Sequence, residues 1–246
     1  MSLLDDVVSV PRRTMTLFFL IDTSGSMMGN KIGAVNDAVV NVLPMLDDIS
    51  KSNPDAEIKI AALEFSNGIN WLYDEPKSSS DFVWQDVQAS GLTSLGAACT
   101  ELNSKLSRNG FMQSASGSFA PAIILLSDGG PTDDFQAGLA KLKSNNWFKA
   151  AIKIAIAIGD DADKDVLQDF TGSIEAVFTV HNIDALKQVI RVVAVTSSQI
   201  GSKSSTAGET SKQEQVIKDV TDTVKDIDGA QSEAAPAVAN NYDDWD

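Results

Sequence analysis

The chain has 246 residues and a formal net charge of −15, from 34 acidic against 19 basic side chains. A chain of this length buries one substantial core without staples, and its charge repels phosphate backbones, which excludes non-specific nucleic-acid binding and favours cations and basic surfaces. The one cysteine, Cys99, cannot form an intrachain disulfide, and its Ala-rich surroundings predict a small buried thiol in a reducing compartment.

Arg12 and Arg13 lead into the apolar run Met15 to Ile21. The run is short, has no small-residue cleavage site and passes directly into Asp22, so it reads as a buried strand and not as a signal peptide. A helix follows over Lys31 to Ile49, which Pro44 is expected to kink or split. Ile58 to Phe65 is a second strand; Ser66, Asn67 and Gly68 then turn the chain into a short β-prone run, Ile69 to Tyr73, which predicts an antiparallel edge strand. Leu95 to Arg108 is helical, Ala122 to Leu126 a strand, Phe135 to Asn145 a helix and Ile152 to Ile158 another strand. Lys164 to Phe170, Val177 to Val180 and Ile183 to about Ile200 read as helix, short strand and helix.

The long apolar runs lack one-faced alternation, so their strands are covered on both faces, and their alternation with helices implies right-handed crossovers. The fold class that results is α/β, a doubly wound, mostly parallel sheet with one antiparallel edge strand and helices on both faces. This domain is expected to span 1–200. A Ser, Thr and Gly-rich linker follows over 201–212, with the cluster Ser202 to Ser211 as a phosphorylation candidate. An amphipathic helix is expected over 213–229, where Val216, Ile217, Val220, Val224 and Ile227 share a face that needs something to pack on. The acidic tail 230–246, ending in Tyr242, Asp243, Asp244, Trp245 and Asp246, is expected to be disordered when alone. No stretch reaches the roughly 20 apolar residues of a membrane span, so a soluble, cytoplasmic protein with no membrane partner is expected.

In open α/β sheets ligands bind beyond the carboxyl ends of the strands. The first strand exits into Asp22, Thr23, Ser24, Gly25 and Ser26, where alternation gives Asp22, Ser24 and Ser26 one parity. The strand Ala122 to Leu126 exits into Ser127, Asp128, Gly129 and Gly130. Between them Gly91, Leu92, Thr93, Ser94, Leu95 and Gly96 form a loop entering a helix, which can bring the Thr93 hydroxyl to the same place. Two carboxylates and three hydroxyls suit a hard divalent cation such as Mg²⁺, with Mn²⁺ or Ca²⁺ as alternatives. Two carboxylates only just neutralise a dication, so the ion stays attractive to an outside carboxylate; four would repel one. The competing reading is local: Ser24 and Ser26 cap the first helix, Thr93 caps the next, and Asp128 makes an Asx-turn.

These motifs carry a resemblance. Asp22-Thr-Ser-Gly-Ser26, Thr93-Ser-Leu-Gly-Ala-Ala98 and Ile124-Leu-Leu-Ser-Asp-Gly-Gly-Pro-Thr-Asp133 resemble those of von Willebrand factor A domains, over roughly Thr14 to Val195. Within that family the chain looks like the TerY-type proteins of bacterial tellurite-resistance and related stress systems. The resemblance implies a metal-ion-dependent adhesion site at Asp22, Ser24, Ser26, Thr93 and Asp128. By it the serines bind directly, the carboxylates act partly through waters, Thr93 joins or leaves the ion with ligand state, and a partner's Asp or Glu completes the octahedron. It also implies an associated kinase and PP2C-type phosphatase. The function expected is thus a metal-dependent protein-binding module and not an enzyme; the alternatives are a scaffolding domain whose metal site is unused, and a metal-dependent hydrolase.

Other chemistries fit poorly. A haloacid-dehalogenase site needs an Asp two residues after Asp22, where Ser24 stands, and a receiver domain needs an Asp at the middle strand end, which reads Glu64, Phe65, Ser66. Gly25 and Gly29 do not make a dinucleotide motif, and no phosphate-loop Gly-Lys-Ser/Thr occurs. His181, the one histidine, lies far along the chain from the site, so no general base is expected there. Asp133 and Asp134 are expected to serve a helix start. Asp160, Asp161, Asp163 and Asp165 are read as a solvated loop and helix start, with a second cation site as the alternative. Trp71, Trp84 and Trp147 are read as packing residues. Tyr242 to Asp246 places aromatic rings beside carboxylates, so the tail is a candidate competing ligand for the metal position.

Overall fold

A computed structural model describes residues 12–112, 117–201 and 211–233. Residues 202–210 of the expected linker, with all of its phosphorylation candidates but Ser211, and residues 234–246 of the expected tail lie outside the described residues; residues 230–233, expected in the tail, are the end of a helix. β1 (Arg13–Asp22) is the central strand, pairing in parallel with β2 (Ala56–Phe65) on one side and β5 (Ala122–Ser127) on the other. Beyond β5 come β6 (Ile152–Ile158) and β7 (Val177–Val180), both parallel. The sheet order is β3-β2-β1-β5-β6-β7. Its reversed edge is built from two short pieces, β3 (Ile69–Trp71) against the end of β2 and β4 (Lys77–Ser78) against its middle.

The parity of the strands sorts two cores. Met15, Leu17, Phe19 and Ile21 of β1 join one, Phe18 and Leu20 the other, and β2, β5 and β6 alternate in the same way. One face is covered by α1 (Asn30–Ser52) and α6 (Ile183–Gly201), the opposite face by α2 (Leu95–Lys105), α3 (Phe135–Ser144), the single turn α4 (Asn146–Ala150) and α5 (Lys164–Thr171). Burial on both faces is what a dense apolar strand requires, each fully buried side chain contributing about 1.5–3 kcal/mol.

Pro44 does not split α1, which runs as one helix with the proline inside it. The carbonyl that Pro44 leaves without an N–H belongs to Val40, which is exposed, so water can serve it. The face predicted to need a partner finds one. In α7 (Lys212–Glu233), Val216, Ile217 and Val220 are buried against α6 and β6. The Gln213 amide donates to the Lys153 carbonyl at 2.7 Å and accepts the Lys153 N–H at 2.8 Å. β7 pairs with β6 only from Ala155 onward, so this amide serves β6 backbone that β7 does not reach. Among the described residues, no helix is long and apolar enough to cross a membrane.

Candidate metal centre

β1 and β5 run in parallel with Ile21 opposite Leu126, so Asp22 and the pair Ser127 and Asp128 leave the sheet side by side. Past Asp22 the chain enters a single 3₁₀ turn, Gly25–Met27. That turn brings the serines together; strand alternation, the expected cause, does not apply because β1 has ended. Ser24 Oγ lies 3.0 Å from Ser26 Oγ, and Ser26 Oγ donates to Asp128 Oδ1 at 3.0 Å. Asp22 Oδ1 accepts the Ser24 N–H at 2.8 Å and Asp22 Oδ2 accepts the Ser127 hydroxyl at 2.6 Å. Asp22, Ser24, Ser26 and Asp128 therefore form one continuous network.

Thr93 is delivered to this edge by backbone ties. The Gly25 N–H donates to the Gly91 carbonyl at 3.0 Å, the Ser90 N–H to the Thr23 carbonyl at 2.7 Å, and the Thr132 N–H to the Thr93 carbonyl at 2.9 Å. Thr93 is buried, and among the described residues its hydroxyl makes no hydrogen bond.

The local capping alternative is not what these hydroxyls do. Ser24 makes no side-chain cap bond, α1 begins after Gly29, and Ser94 at the start of α2 makes none either. The amides opening α2 are instead served from across the fold by Asp133, which accepts the Gly96 N–H at 2.9 Å and the Ala97 N–H at 2.8 Å. Among the described residues the Asp128 carboxylate accepts no N–H from Gly130, so it makes no Asx-turn; the turn here is made by Ser127, whose Oγ accepts the Gly129 N–H at 2.8 Å. With their local duties taken by other groups, the serine hydroxyls and Asp128 Oδ1 face one another.

Two functional neighbours escape the sequence reading. Ser127, fully buried, holds Asp22. Lys31 reaches Asp128 Oδ2 at 3.3 Å and Asp161 Oδ1 at 2.9 Å. A signal for Lys31 existed: it is the second residue of α1, at the positive end of the helix, where a cation is disfavoured unless an anion holds it. Burial opposes its ammonium, but the hydrogen bond to Asp161 and the charge of Asp128 outweigh this and push its pKa up. Burial pushes the Asp22 carboxyl up to about 6 against the hydrogen bonds from Ser127 and Ser24, with the charge of Asp128 adding to the rise. A carboxylate so placed gains when a cation arrives.

The remaining candidates resolve individually. Asp134 caps α3 by accepting the Ala137 N–H at 3.0 Å, and Asp163 caps α5 by accepting the Val166 N–H at 3.3 Å. Asp160 faces the half-exposed His181, and Asp161 faces Lys31. The loop's carboxylates thus serve separate partners, and among the described residues no cluster of three His, Cys, Asp or Glu side chains can hold a metal. Trp71 packs edge-on against Phe18 and Phe111, Trp84 is buried with its indole N–H on Asn36, and Trp147 packs against the second core. Cys99 is buried, and burial pushes its thiol up to about 12.

An Asp-x-Ser-x-Ser turn, a threonine loop and an aspartate meeting at the carboxyl end of a parallel sheet define an open α/β domain whose ligand position lies outside its central strands. A model of the von Willebrand factor type A domain matches residues 16–192. The chain belongs to that family.

Among solved structures, the pilus adhesin SpaC from Lactobacillus rhamnosus GG shares the fold with a TM-score of 0.61 at 16% identity, over 78% of this chain and 31% of the adhesin. Proximal thread matrix protein 1 from the mussel byssus, described with a zinc-occupied MIDAS motif, aligns with a TM-score of 0.54 at 19% identity, over 74% of this chain and 48% of that one. The ArnB paralog VWA2 from Sulfolobus acidocaldarius gives 0.52 at 22% identity, over 72% and 44%. This chain spans less than half the length of each. No curated protein matches it.

Proposed function

We propose that this domain binds a divalent cation through Ser24, Ser26, Thr93 and Asp128, with Asp22 supplying charge from behind, and uses the ion to capture a carboxylate of a protein partner. The observation that carries this reading is a pair of spacings. In an octahedron with metal–oxygen bonds of about 2.1 Å, neighbouring ligand oxygens lie about 3.0 Å apart. Ser24 Oγ to Ser26 Oγ and Ser26 Oγ to Asp128 Oδ1 are each 3.0 Å. Both oxygens of Asp22 are already hydrogen-bonded, which suits action through water and not direct ligation. When bound, the ion supplies a Lewis-acidic point with positions left for an outside oxygen.

The surroundings favour a protein ligand and a binding role. Met28, at 64% exposure, follows the serine turn, and Leu92, at 59%, precedes Thr93; both offer apolar contact to a partner seated on the ion. A groove of about 650 Å³ opens at Thr23 and is lined by Glu64, Ser66, Asn70 and Asp86, wide enough for residues flanking the captured acid. Lys31 is the one charged side chain from outside the five site residues that hydrogen-bonds to them among the described residues, and we propose binding with no catalytic step.

The finer context rests on motif resemblance to TerY-type proteins: a cytoplasmic stress or phospho-signalling system with a kinase and a PP2C-type phosphatase, and Mg²⁺ as the ion. The mussel protein's zinc makes Zn²⁺ a necessary comparison. The test is retrieval of partners by the full chain with Mg²⁺, with chelator, and with Asp22→Ala. The expected result is partner binding lost under both latter conditions; binding that survives both overturns the proposal.

A further inference from the structure

Lys31 is not used by the capture mechanism, yet it is built into the site. Its ammonium lies 3.3 Å from Asp128 Oδ2 and 2.9 Å from Asp161 Oδ1, with the Lys31 side chain 11% exposed and that of Asp161 73% exposed. The stem has a channel made for it: Gly159 has φ +90°, and a Cβ there would stand 2.8 Å from Lys31 Cε. The two oxygens of Asp128 are thereby divided. Oδ1 faces Ser26 and the ion position, while Oδ2 belongs to the ammonium.

Two consequences follow from charge and geometry. Asp22 and Asp128 sum to two negative charges, and Lys31 returns one of them; Asp161, 2.9 Å from the ammonium but 73% exposed, offsets that charge only in part. A dication in the site then leaves an excess of positive charge near the open position, not the near-neutral balance that two carboxylates alone give. An ammonium beside the site lowers the affinity for the cation and raises that for an incoming anion. Asp128 is also held to one oxygen. A bidentate carboxylate suits Ca²⁺ with its larger shell, whereas a single oxygen suits a small octahedral ion.

We propose that Lys31 is a specificity-determining residue of the metal site: through Asp128 it disfavours Ca²⁺ and shifts binding strength from the protein's own carboxylates to the carboxylate of the partner. This rests on the site binding a cation as proposed above. The opposed signs separate it from a merely structural role, since a damaged site loses ion and anion together.

The experiment titrates Mg²⁺ and Ca²⁺ calorimetrically into the full chain and into Lys31→Met, Lys31→Arg and Asp161→Asn, then titrates acetate into the Mg²⁺-saturated proteins by NMR. Removing a unit charge a few ångströms from a dication changes affinity by roughly tenfold even at a water-like dielectric. Lys31→Met is expected to bind Mg²⁺ roughly tenfold tighter, Ca²⁺ tighter still, and acetate more weakly. Lys31→Arg keeps the wild-type order. Asp161→Asn leaves the ammonium less compensated and moves both affinities the opposite way, and it decides the matter if Lys31→Met fails to fold. If the wild type binds ions and Lys31→Met binds Mg²⁺ and acetate both more weakly, or both unchanged, the role assigned to Lys31 is wrong. If Asp161→Asn alone can be measured and leaves both affinities unchanged, the role is equally wrong. If the wild type takes up no divalent ion, the proposed function itself fails and this inference falls with it.

Discussion

Ser127→Ala isolates the support beneath the site without touching a proposed ligand. The Ser127 hydroxyl makes two bonds, donating to Asp22 Oδ2 at 2.6 Å and accepting the Gly129 N–H at 2.8 Å, and the residue is fully buried. A hydrogen bond to a charged group contributes about 1.5–3 kcal/mol, and an orphaned buried N–H costs about 1–3 kcal/mol. The first acts only on ionised Asp22. At about 1.4 kcal/mol per pKa unit it moves that carboxyl up by roughly one to two units. Burial has already placed Asp22 at about 6 in the wild type. Its carboxyl in the variant therefore competes for a proton at neutral pH, and Mg²⁺ affinity at pH 7 drops by roughly two- to tenfold. The loss is recovered at pH 9, where Asp22 is ionised in both proteins. Because its folded pKa is raised, wild-type Asp22 favours the metal-free fold below the unfolded value near 4 and loses that contribution as pH rises through about 6. Calorimetry with Mg²⁺ at pH 7 and pH 9 measures both effects. Equal affinities of variant and wild type at pH 7, or a deficit that persists at pH 9, refute the reasoning.

Three further outcomes are expected. Gly138→Ala should destabilise the fold by about 3 kcal/mol or more in urea titrations, since a Cβ there would sit 2.2 Å from the Gly96 carbonyl oxygen where α3 crosses α2. Cys99, buried and with its thiol raised to about 12, should resist a thiol reagent at pH 8 until the whole domain unfolds; fast labelling of the native protein contradicts its placement. Gln213→Ala removes both bonds to the Lys153 backbone and should cost about 1–2 kcal/mol, with faster hydrogen exchange confined to α7 and the first residues of β6.

The sheet was legible because its strands are apolar without alternation: a run such as Met15 to Ile21 has nowhere to go but between two layers of helix. Parity then places Phe18 on one face and Phe19 on the other. The two-residue strand β4 carries no such signal, since Lys77 and Ser78 are ordinary loop residues that pair only because β2 lies beside them. The convergence of the residues proposed as ligands is legible because each follows an apolar strand or precedes a helix. Their supports are harder to read: Ser127 meets Asp22 across 105 residues and Lys31 meets Asp128 across 97, so that Lys31 at a helix start signals only that some anion holds it and not which one. Contacts of that range leave no periodicity. Lys31 also changes the charge balance, from two carboxylates facing a dication to two carboxylates and an ammonium. The convergence of Ser24 and Ser26 was anticipated for the wrong reason, a short helical turn having replaced strand alternation.

The central claim is a cation position shared by the serine turn and Asp128. It is tested most directly by titrating Mg²⁺ into the wild-type chain and into Asp128→Asn, which keeps the size of the side chain and removes its charge. Saturable binding of one ion is expected in the wild type and a loss of affinity of roughly a hundredfold or more in the variant, since even groups that only support a metal ligand typically cost about 10–100-fold. No binding by the wild type, or equal binding by the two, contradicts it.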